Sequence, residues 1–241
     1  MTEKFQAIVL SAVRHSDRAS IVSTYTPTHG RLPLIVNTGS GRGARMRAPH
    51  IMPLAQIEFS CRYHQTRELQ RPASIAPVYT YRDLYFNPVK NAIGIFLAEF
   101  LNRLMRDTTP DQHTFRFIAD SLKVLDILPG FPANFHITFL TQLATFMGIA
   151  PDLSTHRPGA VFDMRAGRYS SMHPGHPDIL TGSEAQVPLL LSRLGYANMH
   201  RLRLSRDQRA AILRGMLRYW GIHYPGVASL RSPDILAELF E

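Results

Sequence analysis

Residues 20–37 read Ser-Ile-Val-Ser-Thr-Tyr-Thr-Pro-Thr-His-Gly-Arg-Leu-Pro-Leu-Ile-Val-Asn, and they decide the fold of the first third of the chain. Ser20–Thr26 is rich in β-branched and aromatic residues, Pro27-Thr28-His29-Gly30 supplies turn chemistry, and Arg31–Asn37 returns as a second strand. Upstream, Phe5–Leu10 is an apolar run of strand length. Downstream, Leu54–Arg62 and Leu69–Val78 read as two more strands, and Pro72 and Pro77 place the last at a sheet edge. Five short strands within residues 1–80 predict a small barrel. The OB-fold leads, although an SH3-like barrel would leave a similar string.

Beyond residue 85 the period changes to that of helices. Asn87-Pro88 is a cap followed by proline at the first helical position, and Ile93, Phe96, Leu97, Phe100, Leu101 and Leu104 follow at helical spacing. Thr109-Pro110 repeats the start signal before Phe115, Ile118, Leu122 and Leu125. Asn134 opens a third helix that stops at Gly148. Residues 149–182 are rich in loop formers, with a hairpin expected at Val161–Arg165 and Arg168–Ser171 around Ala166-Gly167. Helices resume at Ser183–Leu194 and at Ser205–Trp220, where Ser205 and Gln208 form a capping-box pair and Gly221 is the expected stop. Ser232-Pro233 starts a last short helix. The expected class is α+β: an OB-fold barrel at 1–80, then a mainly helical domain at 85–241 with a loop-rich insertion at 149–182.

The 241 residues are 45% hydrophobic, too many for a disordered chain, and no run of about 18 apolar residues suits a membrane span. The N-terminus lacks a secretory cleavage pattern, and Cys61 is the single cysteine. No internal disulfide or multi-cysteine metal site is possible, and a reduced cytoplasmic setting is expected. The net charge is +9, and only three of the 27 basic residues are lysine. Arginine's planar fork grips phosphate and stacks on bases. The charge is uneven. Residues 1–82 hold 11 Lys and Arg against 4 Asp and Glu, a net +7, whereas residues 83–155 are net −2 and residues 156–241 net +4. A localised basic field is the footprint of nucleic-acid binding.

Catalytic constellations are not evident. Gly39-Ser40-Gly41-Arg42-Gly43 lacks the ending of a phosphate loop, and Cys61 between Ser60 and Arg62 reads as a small packing residue of a strand. His173-Pro174-Gly175-His176, with Asp178 nearby and His156 upstream, comes closest to a metal set, but its proline and glycine suit a loop and no second ligand pair accompanies it. No catalytic residue, metal or cofactor is therefore assigned. The strongest constellation is the basic set of the barrel. Arg14 and Arg18 bracket His15-Ser16-Asp17 in the first strand connection, Arg31 starts the third strand, and Arg42, Arg45 and Arg47 crowd the next loop. Arg62, Arg67 and Arg71 follow. Phe5, Tyr25, Phe59 and Tyr63 are available for base stacking, with Phe5 and Phe59 better placed as core. A second basic region holds Arg201, Arg203, Arg206, Arg209, Arg214 and Arg218, suited to nucleic acid, to an acidic partner peptide or to plain solvation.

Taken in order, Ala7-Ile8-Val9-Leu10, Asp17-Arg18-Ala19-Ser20-Ile21-Val22, Tyr25-Thr26-Pro27-Thr28-His29-Gly30-Arg31 and Pro53-Leu54 resemble the N-terminal domain of the bacterial DNA repair family RecO. Leu194-Gly195-Tyr196, His223-Tyr224-Pro225-Gly226 and Leu230-Arg231-Ser232-Pro233-Asp234-Ile235-Leu236 resemble its closing pattern. The resemblance implies an OB-fold and a helical domain. It implies a non-enzymatic mediator that binds single- and double-stranded DNA, anneals complementary strands, acts with RecR, binds the acidic tail of single-strand-binding protein and helps RecA load. A cytoplasmic, nucleoid-associated location goes with it. Many relatives carry a cysteine zinc ribbon about where 152–178 lies. This chain has no cysteine there, so the 161–171 hairpin is expected to replace it without metal.

Overall fold

The computed structural model describes residues 2–38, 48–106 and 108–233. The chain forms two compact units, Met1–Leu128 and Pro129–Glu241. In the first, β1 (Glu3–Ser16), β2 (Ala19–Thr26), β3 (Gly30–Asn37), β4 (Gln56–Cys61) and β5 (Pro72–Tyr79) form one antiparallel sheet in the order β3-β2-β1-β4-β5. The sheet is not closed by a full ladder. Among the described residues its two edges meet at one bridge, where Ile35 N donates to Gln70 O (2.9 Å) and Gln70 N donates to Pro33 O (3.0 Å). That order and near-closure are those of a partly open OB-type barrel. Alternation sends Phe5, Ala7, Val9, Val22, Leu34, Val36, Ile57 and Phe59 into one apolar core. Cys61 lies in that core fully buried, as a packing residue, and burial followed by the nearby Glu3 charge pushes its thiol pKa up.

Among its described residues this unit also holds two α-helices, α1 (Pro88–Leu104) and α2 (Gln112–Ile127). Asn87 caps α1 by accepting from Val89 N (3.0 Å) and Lys90 N (3.2 Å). The anticipated Thr109-Pro110 start is corrected. Asp111 is the cap of α2, its carboxylate accepting from both the backbone N and the hydroxyl of Thr114 at 2.6 Å. Near the end of α2 the buried Asp126 accepts from Arg82 N, Asp83 N, Leu84 N and Tyr79 OH at 2.8–3.1 Å. Desolvation raises its pKa, but these four donors outweigh it and the net shift is downward.

The first strand is also longer than its apolar run. Beyond Leu10 it continues to Ser16 with mostly exposed side chains, because backbone pairing to β2 runs on to Ser16↔Ala19 without an apolar pattern to mark it. Arg14 is consequently in the strand, and the connection is the two-residue turn Asp17-Arg18.

The second unit holds α3 (Phe135–Phe146), β6 (Val161–Asp163), β7 (Arg168–Ser170), β8 (Ile179–Leu180), α4 (Val187–Leu191) and α5 (Arg206–His223). The expected hairpin is present and gains β8 as a third strand, in the order β7-β6-β8. It rests on an apolar cluster of Ala160, Phe162, Met164, Tyr169, Ala185 and Tyr219. The expected helix over 183–194 is instead a 3-10 turn, Glu184–Gln186, followed by the five residues of α4. The Ser205–Gln208 capping box is formed at α5. Gly221 does not end α5. It lies inside the helix, where its missing side chain admits Ala228, whose Cβ would stand 3.3 Å from a Cβ at 221. The final helix expected from Ser232 lies, past Pro233, outside the described residues. Among the described residues no helix is long and apolar enough to cross a membrane.

Candidate nucleic-acid interface

OB-folds bind oligonucleotides on the outer face of strands 2 and 3 and on the loops joining strands 1–2 and 4–5. In this chain those loops are Asp17-Arg18 and the stretch Arg62–Arg71. Both are basic, and both are tied to β3. Thr38 N donates to Arg18 O (2.9 Å), and Gln70 makes the bridge to Pro33 and Ile35.

Gln70 also shapes the longer loop from within. Only 1% exposed, it accepts from His64 N (3.0 Å) and donates through Nε2 to His64 O (2.8 Å) and Arg67 O (2.9 Å). A flexible basic loop is thereby folded over a buried amide and pinned against β3. Arg62, Arg67 and Arg71 are left exposed. Arg67 and Arg71 line an open cleft with Ile35, Glu68 and Leu69. The pKa of His64 is lowered, by desolvation and by the neighbouring Arg67 and Arg62 charges. Sequence reading missed Gln70, whose role comes from where the chain returns and not from any motif.

The other expected residues fall out unevenly. Arg18 is exposed in its turn. Arg14 is exposed but paired with Asp17 at 2.6 Å. Arg31 is half-buried, donating to Ser23 Oγ (2.9 Å) and to Asn102 Oδ1 (3.3 Å) of α1, so it clasps the sheet to the helix. Arg42, Arg45 and Arg47 lie outside the described residues. Of the four aromatics, Phe5 and Phe59 are core residues as expected, and the reading of Tyr25 as a stacking platform is corrected. Phe5 and Phe59 stack on each other inside the core, 5.1 Å apart. Tyr25 is buried beneath α2, with its hydroxyl near Asp111 O (3.4 Å) and its ring 6.1 Å from that of Phe115. Tyr63 is half-buried against Phe5 and His29.

In the second unit, Arg201, Arg203, Arg206 and Arg214 are exposed. Arg209 is half-buried and structural, donating to Asn134 Oδ1 (3.2 Å) and Leu204 O (3.1 Å), and its desolvation lowers its pKa. Arg218 and Arg165 converge on Asp178 at 2.8 and 2.7 Å, and these bonds hold that carboxyl below its usual range. His173 Nδ1 lies 2.8 Å from Pro174 O, and His176 lies 3.4 Å from Asp163. Among the described residues no three His, Cys, Asp or Glu side chains gather as a metal site would need.

The family model described as Recombination protein O N terminal matches residues 1–81, and the model described as Recombination protein O C terminal matches residues 85–232. This chain belongs to the RecO family. Proteins named DNA repair protein RecO from Phocaeicola vulgatus and Bacteroides fragilis are each 33% identical to it, over 100% of both chains. The one from Porphyromonas gingivalis is 31% identical over 98% of both. RecO membership supports a role in DNA repair and recombination, and it is consistent with the OB-type sheet and the helical region that follows.

Proposed function

We propose that this RecO-family chain binds single- and double-stranded DNA, anneals complementary strands and helps RecA load onto DNA coated with single-strand-binding protein. The observation that carries the reading is the placement of Arg18, Arg62, Arg67 and Arg71, exposed on the two loops that flank an OB-fold's ligand face. Annealing requires two polyanions to approach. Arginines that neutralise phosphates on both strands lower their repulsion and release condensed counterions, and base pairing then supplies the driving force. Such a mediator needs charge and positioning, with no bond made or broken. RecR and the acidic tail of single-strand-binding protein are the partners that fit this role, and exposed Arg201, Arg203, Arg206 and Arg214 offer countercharge for such a tail.

The test is the annealing rate of complementary oligonucleotides, bare and coated with single-strand-binding protein. Acceleration of both is expected. Salt-insensitive behaviour with no acceleration would leave a protein-interaction scaffold in its place.

A further inference from the structure

The barrel aromatics that could stack on bases are buried or half-buried, so the DNA-binding reading lacks a surface for the bases themselves. Strand register supplies one. Val13 pairs with Ile21, and Ile21 pairs with Ile35, so the three share one face of the sheet. It is the outer face, because the next residues along, Val22, Leu34 and Val36, point into the core. Leu69 and Ile35 line the same open cleft, with Arg67, Arg71 and the acidic Glu68. Val13 is 63% exposed, and Ile21, Ile35 and Leu69 are half-exposed.

Toward the Pro27–Gly30 turn, the outer face of β2 and β3 is covered. Tyr25 lies under α2, Arg31 is clasped to Asn102, and a Cβ on Gly30 would stand 3.6 Å from Pro110. Arg14 faces the other way by alternation, so among the described residues the arginines that line the cleft beside the stripe are Arg67 and Arg71.

We infer that the aliphatic stripe Val13–Ile21–Ile35–Leu69 is a platform for the bases of single-stranded DNA, whose phosphates run along Arg67 and Arg71. The inference rests on the DNA-binding reading above. Charge selects the occupant: an apolar strip bordered by arginines, in a region of net charge +7, suits a polyanion whose apolar faces are exposed, which a paired duplex does not offer. Aliphatic side chains have no edge or ring geometry to satisfy, so the platform is indifferent to base identity.

Full-length protein is titrated with fluorescent oligothymidylate and with an abasic strand of the same length, which keeps the phosphates and removes the bases. The wild type is expected to bind the base-bearing strand about tenfold more tightly. Ile21→Thr/Ile35→Thr brings the two affinities together and leaves the salt dependence on the abasic strand unchanged. Val13→Thr, at the most exposed position, moves in the same direction by less and decides alone should the double variant fail to fold. Equal wild-type affinities, or a preference kept by the folded variants, overturn the platform while leaving DNA binding intact. Binding to neither strand overturns the DNA-binding reading itself. Self-association abolished by the same threonines would then make this face a contact between copies.

Discussion

Gln70 and His136 are the residues whose burial has the clearest measurable consequences. Gln70 connects the basic loop to itself and to β3 with its side chain and main chain together. Gln70→Ala strands the His64 amide and the carbonyls of His64 and Arg67, at a cost of about 1–3 kcal/mol. Urea unfolding should show that loss. DNA affinity should fall with an unchanged salt slope, because no charge is removed. Unaltered stability would mean that the side chain does not hold the loop. His136, on α3, is fully buried, and desolvation, aided by the Arg209 charge, lowers its pKa to about 3. The unfolded chain takes up a proton near the ordinary value of about 6.5, which the folded state refuses until about 3. Protons therefore favour unfolding. The stability linked to this group is complete above about pH 6.5 and is lost as pH falls, by about 1.4 kcal/mol per unit. His136→Gln should flatten denaturant-derived stability between pH 6.5 and 4 relative to wild type, and parallel curves would contradict the assignment.

At the scale of elements, the loop Arg62–Arg71 makes the DNA-binding prediction quantitative. If Arg67 and Arg71 each neutralise one phosphate, Arg67→Ala/Arg71→Ala should lower the slope of log affinity against log salt by about 1.4 for single strands. Anisotropy titrations between 50 and 200 mM salt, roughly the range over which such slopes are read, measure it directly. An unchanged slope would remove these two arginines from the interface. The elements were legible where local chemistry marks them: the Asn87-Pro88 cap, the Ser205–Gln208 capping box and the Pro27–Gly30 turn each stand where side-chain pattern predicts. They were illegible where neighbours decide. The outer half of β1 has no apolar alternation and is marked only by its backbone pairing to β2, and Gly221 lies inside α5 where Ala228 approaches it closely. The candidate site shows the same division. Its arginines can be counted in the sequence, but which are already engaged within the fold depends on Asn102 and Asp178, far away along the chain. The Val13–Ile21–Ile35 stripe exists only through register, which one-dimensional pattern cannot contain.

For the molecule as a whole, the question is which stretch of chain completes the barrel. Residues 1–81 match the N-terminal family model, but two polar side chains of that stretch, Gln56 and Tyr79, find partners beyond it. Gln56, 4% exposed, donates to Tyr81 OH (3.0 Å) and to Ala119 O (2.8 Å). Tyr79 OH donates to Asp126, and the outer face of Tyr25 is covered by α2. A chain cut at 81 would leave Gln56 without Ala119 O and Tyr79 without Asp126, and would bare the apolar face of Tyr25, with an orphaned buried group such as the Gln56 amide costing about 1–3 kcal/mol against a total stability of about 5–15 kcal/mol. A chain cut at 128 keeps Asp126 and with it every one of these bonds. Residues 1–128 should therefore unfold cooperatively in urea and give dispersed amide resonances, whereas residues 1–81 should give a broad, non-cooperative transition. In the longer fragment, Asp126→Ala should move behaviour toward that of the shorter one, because it releases the three backbone donors of Arg82–Leu84 and the Tyr79 hydroxyl together. Equal cooperativity of the two fragments would show that the strands alone carry the barrel, and that α1 and α2 only decorate it.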